Sequence, residues 1–316
     1  MKFRLRDGQG TAITDLSAFN SVAFAFSGPN TDFGGASKVV VNPRAVGNGS
    51  SGNLSVADGN GVFTYVTTVG NGLPADATGT WRIGLEARRP VTVNGSTVNE
   101  APQNPVLDFS ADGTDVAPRR TVVETSRCSK CHGTFSKGFS IHGNLRNRAE
   151  YCVVCHNPNN NDSARRIPAI AVGADADTQS INLKHMIHKI HTGEDNEHKP
   201  YVIYGFGSSP SYTPNDFAEV RYPGDRRDCS QCHAGTSYLL PLPAGVLPTR
   251  ESTIVSGTDT VTGAMPPIQD ACLACHTSDV AQIHADTNTT AAGAEACAAC
   301  HGAGRLADVA EVHAIH

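Results

Sequence analysis

The first 120 residues contain neither cysteine nor histidine. Nothing in that stretch argues for catalysis, and no motif in it supports flavin or ion binding. Long apolar runs are also missing. Nowhere do 18 apolar residues follow one another, so no membrane-spanning helix is encoded. The opening Met1-Lys2-Phe3-Arg4-Leu5-Arg6-Asp7 has no apolar h-region and is not a signal peptide. Apolar side chains are scarce for the length, 39% of 316 residues, among 31 glycines and 18 prolines. A chain so rich in loop formers is short of core-forming bulk. Positive charge does not predominate either. The 25 Lys and Arg face 30 Asp and Glu for a formal charge of −5, which argues against a duplex nucleic-acid partner.

What the first 120 residues lack, the last 196 hold: all ten cysteines and all 13 histidines. Every cysteine belongs to one repeated motif, Cys128-x-x-Cys131-His132, Cys152-x-x-Cys155-His156, Cys229-x-x-Cys232-His233, Cys272-x-x-Cys275-His276 and Cys297-x-x-Cys300-His301. C-x-x-C-H is the attachment signature of c-type haem. The two thiols add to the two vinyl groups of one porphyrin, and the following histidine is aimed at the iron. Five motifs predict five covalently attached haem c groups. Their faces supply the missing apolar bulk, so the chain after Cys128 is expected to fold poorly without them. Competing readings fail on counting. A four-cysteine zinc site takes two pairs, so five pairs strand one, and it needs no histidine after each pair. A thioredoxin-like C-x-x-C belongs near a βαβ pattern, which is absent here, and disulfides leave the histidines unexplained. Haem c is attached outside the cytoplasm, so an export signal is expected to have preceded this sequence. The protein is expected at the cell surface or outside the cell, or in the periplasm.

The composition break near Pro118-Arg119-Arg120 divides the chain into a β domain, 1–120, and a pentahaem cytochrome c domain, 121–316. In the first, alternating apolar residues recur between Gly, Asn and Asp clusters: Phe3 and Leu5; Val22, Phe24 and Phe26; Val39 to Val41; Phe63 and Tyr65; Trp81, Ile83 and Leu85; Val106 and Phe109. Period-two runs of this length read as antiparallel strands of a small all-β sandwich or barrel. Val91 to Val98 reads as a hairpin turning at Asn94-Gly95. The second domain reads as mostly irregular and helical, with loops over 157–180 and 241–270 and a short amphipathic helix over 305–316.

The motifs are spaced 24, 77, 43 and 25 residues apart, and the first and last pairs each enclose one histidine, His142 and His284. The long insertion carries Leu183, Met186, Ile187 and Ile190 at helical period. On the adjacent face His185, His188 and His191 fan out about 60° apart. One helix can thus hand imidazoles to two neighbouring haems. The i, i+3 spacing without an intervening Glu is not that of a zincin site. Five motif histidines are proximal ligands: His132, His156, His233, His276 and His301. Eight others remain, His142, His185, His188, His191, His198, His284, His313 and His316. Methionine, the other common axial ligand, is limited to Met1, Met186 and Met265. Bis-histidine ligation at every iron is therefore the expectation. It leaves no position for substrate and favours electron transfer over bond chemistry.

Three stretches carry a family resemblance. His191-Thr-Gly-Glu194, Arg221-Tyr-Pro-Gly-Asp-Arg-Arg-Asp-Cys229-Ser-Gln-Cys232-His233 and Glu150-Tyr-Cys152-Val-Val-Cys155-His156-Asn-Pro158 resemble the outer-membrane decahaem cytochromes c of the OmcA/MtrC family. The Gly28-Pro-Asn-Thr-Asp-Phe33 region is similar to that family's split-barrel domain. The chain resembles one barrel-plus-pentahaem half, the second. The resemblance implies haems packed into a wire that passes respiratory electrons by hopping to metal oxides, soluble metals or flavins outside the cell. It implies other multihaem cytochromes as redox partners, and His142, His188, His191, His284 and His313 as distal ligands. No substrate-specific catalytic residue is expected. Two other functions share some of these features. A multihaem reductase of nitrite or a sulfur oxyanion needs one iron with an open position. A subunit of a self-assembling polymeric wire needs nothing further in sequence.

Overall fold

The computed structural model describes residues 1–30, 32–33, 40–47, 49–55, 58–133, 141–196, 200–205 and 214–315. His198 and His316 lie outside the described residues, as do Thr31 of the 28–33 segment and Val39. The chain forms two compact units. One comprises Met1–Arg120 with Glu124–Cys155, the other Thr121–Val123 with His156–His316. The first two cysteine pairs therefore count with the β-rich unit, and the expected boundary at Arg120 does not separate them from it.

In the first unit the strands are β1 (Lys2–Arg4), β2 (Ser21–Ser27), β3 (Val40–Val46), β4 (Gly52–Ser55), β5 (Val62–Thr67), β6 (Thr80–Val93), β7 (Ser96–Glu100) and β8 (Val106–Ser110). One antiparallel sheet runs β1-β5-β4 and another β3-β2-β6-β7, with β8 also paired to β6. A single apolar core joins them: Phe3, Phe63 and Tyr65 from the first sheet meet Val22, Phe24, Phe26, Trp81 and Leu85 from the second. The arrangement is a sandwich, and among the described residues no closed barrel forms. The β6–β7 hairpin turns at Asn94 and Gly95, both with positive φ, as a two-residue primed turn requires.

Strand β2 is buried along its whole length, and its sequence explains how. Val22, Phe24 and Phe26 point into the core, and Ala23 and Ala25 occupy the opposite face. In register, Ala25 pairs with Gly84 and Ala23 with Glu86 of β6. Small residues there leave a shallow trough on the outer face. Helix α1 (Thr125–His132) and helix α2 (Ala149–Cys155) complete this unit, and α2 lies over the trough, with Tyr151 and Val154 packed on Ala25.

The second unit holds α3 (Ser163–Ala169), α4 (Leu183–Thr192), β9 (Val202–Tyr204), β10 (Pro214–Asp216), β11 (Thr249–Val255), β12 (Thr258–Met265), α5 (Pro267–Leu273), α6 (Asp279–Thr287), α7 (Ala298–His301) and α8 (Val309–Val312). Two regions expected to be loops are ordered. Residues 249–265 form the β11–β12 hairpin, and 163–169 form α3. The hairpin turns at Ser256-Gly257, both with positive φ. Its strands are rich in Thr, Ser and Val and carry little apolar alternation, so the pattern did not stand out. The expected C-terminal helix is a single turn, α8. The chain as a whole is thus mixed and sheet-rich, and after residue 120 it is mostly irregular with short helices, joined by the β9–β10 and β11–β12 pairs. No helix among the described residues is long and apolar enough to cross a membrane.

Candidate haem-binding site

Each cysteine motif lies on or beside a short helical turn. In the second unit the histidine N–H closes that turn on the first cysteine's carbonyl: His233 on Cys229 at 2.9 Å, His276 on Cys272 at 2.8 Å and His301 on Cys297 at 2.9 Å. An i to i−4 bond of this kind fixes the spacing of both thiols and the imidazole within about one turn. The same local geometry thus recurs in three motifs of different surrounding sequence.

Three motif histidines of this unit, His233, His276 and His301, each face a second histidine. The His188 and His233 ring centroids are 6.1 Å apart, those of His276 and His313 6.0 Å, and those of His284 and His301 6.0 Å. Two metal–imidazole bonds of about 2 Å each, plus the ring radii, span about 6 Å between centroids. The three pairs therefore have the separation at which one iron fits between two Nε2 atoms. Their interplanar angles differ, at 23°, 73° and 86° respectively. Among the described residues no three His, Cys, Asp or Glu side chains converge into a metal site of protein groups alone. The histidines come in twos.

Backbone and hydroxyl acceptors set the tautomers. His301 Nδ1–H donates to the Ala307 carbonyl at 3.0 Å, and His313 Nδ1–H to that of Val309 at 3.0 Å. His156 donates to Ile181 at 2.8 Å. His233 Nδ1 lies 3.1 Å from Ser237 Oγ, which itself donates to the Val122 carbonyl at 2.7 Å and so accepts from the ring. With Nδ1 as donor, Nε2 keeps a lone pair for a metal. Burial, and then the neighbouring His233, push the His188 pKa down to about 4, which keeps that imidazole neutral. Burial and then His313 push His276 down as well.

The surroundings fit a porphyrin. Val280 and Ile283 flank His284, Val312 and Ile315 flank His313, and Leu306 adjoins the turn that holds His301, all with strongly exposed apolar side chains. A cleft of about 310 Å³ is lined by Cys229 and Tyr238 on one side and His313 and Ile315 on the other. Exposed apolar surface gathered around neutral paired imidazoles is what a large apolar disc with a central metal would cover. The motifs are also close to one another. Cys275 lies near enough to Cys229, and Cys297 to Cys272, to raise the thiol pKa there, after the larger effect of burial. The third, fourth and fifth motifs thus form a contiguous series.

The remaining candidates are placed as follows. His191 meets the edge of Tyr222 at 5.3 Å between centroids. His132 ends α1, and His142 stands in a loop with φ of +56°. His185 has its Nδ1 2.6 Å from Asp270, a buried carboxylate that also accepts from Thr249 and pairs with Lys184, which leaves Nε2 as open to a metal as in the other rings. Burial pushes the Asp270 pKa up, but those partners outweigh it and hold it at about 2. Sequence reasoning missed Asp270 and Ser237, and it missed three residues of the first unit that hold α2, namely Glu86, Arg146 and Tyr151. The only signal available was adjacency, since Tyr151 precedes Cys152 and Ser237 lies four residues after His233.

Residues 120–314 match the model of the outer membrane cytochrome MtrC/MtrF-like family, domains II/IV. The chain belongs to that family. This places it among exported outer-membrane cytochromes. Two solved structures are similar to this MtrC/MtrF-like chain. The outer membrane decahaem cytochrome OmcA is 20% identical with a TM-score of 0.50, over 96% of this chain and 44% of that one. MtrC from Shewanella baltica OS185 is 16% identical with a TM-score of 0.51, over 99% and 42%. At these identities the likeness is one of fold. The chain spans less than half the length of either. No curated protein matches it.

Proposed function

We propose that this chain is a pentahaem c-type electron carrier of the cell surface, passing respiratory electrons by hopping toward metals or other external acceptors. The observation that carries the reading is the set of three histidine pairs about 6 Å apart, each joining a motif histidine to a distant one. When bound, haem c would supply one-electron chemistry. The chain's residues do the rest. Ten cysteines in five motifs tether the groups. His233 with His188, His276 with His313 and His301 with His284 would hold three irons, and His142 and His191 would complete those of His132 and His156. Carbonyls on Nδ1 of His156, His301 and His313 and the Ser237 hydroxyl on His233 keep Nε2 available there, and the contiguous third to fifth motifs keep successive groups close. Other multihaem cytochromes are the proposed redox partners, and metal oxides, soluble metals or flavins the acceptors. A nitrite or sulfur-oxyanion reductase needs an iron lacking its second ligand, and the three pairs argue against that at the third, fourth and fifth motifs.

Mass spectrometry of the denatured holoprotein tests the stoichiometry. Five covalent haems and no alkylatable thiol are expected. Four haems, or bound zinc, would refute the reading.

A further inference from the structure

The outer face of β6 presents three residues in alternation to the helix that carries the second cysteine pair. Arg82 donates to the Glu150 carbonyl at 3.3 Å. Gly84 receives the Tyr151 ring so closely that a Cβ there would lie 2.1 Å from it. Glu86, fully buried, accepts from Arg146 Nε at 2.7 Å and from the Tyr151 hydroxyl at 3.0 Å. Period-two geometry puts all three on one face, and α2 is pressed onto it with Cys155 packed against Tyr151 and Val154. The β unit thus brings a buried ion pair up to Cys155.

A buried carboxylate with one guanidinium and one phenol is more than is needed to seat a short helix. Apolar side chains would do that at lower desolvation cost. Tyr151 joins the two: its hydroxyl meets Glu86, and Cys155 packs on the cluster that Tyr151 forms with Val154 and Ala25. A group bonded to that sulfur would lie beside the buried pair.

We infer that the Glu86–Arg146 pair tunes the reduction potential of the haem carried by Cys152 and Cys155, with Tyr151 as its positioning residue. This rests on the reading that those cysteines carry a haem. The cation favours the ferrous state and the carboxylate the ferric. A buried pair is poorly screened, so salt affects it little.

The test uses the full-length holoprotein and potentials resolved haem by haem, from exchange between haem methyl NMR signals during a redox titration. Glu86→Gln keeps the shape and removes the negative charge. It is expected to raise the reduced-to-oxidised ratio of one haem about tenfold at fixed potential, ~59 mV for a one-electron couple, and to leave the other four in place. Arg146→Gln is expected to move the same haem the opposite way. Arg89→Gln, which breaks the exposed pair between Arg89 of β6 and Glu100 of β7, is expected to move none. If all five haems shift together, or none does in Glu86→Gln, the inference is overturned. Peptide mapping of wild type comes first. If Cys152 and Cys155 carry no haem, the proposed function fails and the inference falls with it. If they carry one whose potential ignores Glu86, only the inference fails. Should Arg146→Gln not mature, Glu86→Gln decides alone.

Discussion

His185 and His188 stand on the same helix, three residues apart, and are bound to different things. His188 faces His233 across 6.1 Å, and its ring is buried. His185 is fastened through Nδ1 to Asp270. Replacing each by alanine should separate the two roles. His188→Ala is expected to leave one iron in five open to a small ligand, seen as a carbon monoxide difference spectrum on the reduced protein that wild type lacks. His185→Ala is expected to show no such spectrum but to lose about 2 kcal/mol of stability, because the Asp270 carboxylate keeps its burial and loses a hydrogen-bond partner. Chemical denaturation followed in the Soret band measures that loss. A carbon monoxide spectrum in His185→Ala alone would exchange the two assignments.

At the scale of elements, α2 on its trough is the clearest case of sequence and packing agreeing only in retrospect. The alternation Val22-Ala23-Phe24-Ala25-Phe26 announces a strand with one apolar face. It does not announce that alanines opposite Gly84 make room for a helix from residue 149 onward. Gly84→Ala is expected to push Tyr151 out of the trough, at about 2 kcal/mol or more by overpacking, with lower urea midpoints as the readout. Helix α4 was legible because its apolar period and histidine fan are both local signals. The C-x-x-C-H motifs were legible as chemistry, since spacing alone defines them. The β11–β12 hairpin was not, because Thr and Ser carry its strands without strong alternation and a Gly-rich turn reads like any loop. The Glu86, Arg146 and Tyr151 contact is non-local, spanning 60 and 65 residues, and no period in the sequence can report it.

The whole molecule divides its core between two kinds of material. The first unit has a protein core of Phe, Tyr, Trp and Val side chains. In the second, large apolar residues such as Val280, Ile283 and Leu306 stand exposed around the paired histidines. Chain produced without haem maturation is therefore expected to keep a protease-resistant β unit while trypsin cuts first within 156–316. Resistance of that segment in the apo-protein would show that haem contributes less to its core than the exposed residues imply.

The ring-plane angles carry a magnetic consequence. An axial imidazole's orientation lifts the degeneracy of the iron d orbitals with which its π system overlaps. With the proposed ligation, near-parallel rings such as His188 and His233 at 23° would add their effects along one direction and give a rhombic low-spin ferric signal. Near-perpendicular rings such as His276 with His313 at 73° and His284 with His301 at 86° would nearly cancel and leave a strongly anisotropic signal with a large principal g value. The oxidised protein should thus show both kinds of electron paramagnetic resonance spectrum, with His188→Ala removing only a rhombic component. The fold would then have given its irons different electronic axes with one and the same pair of ligands.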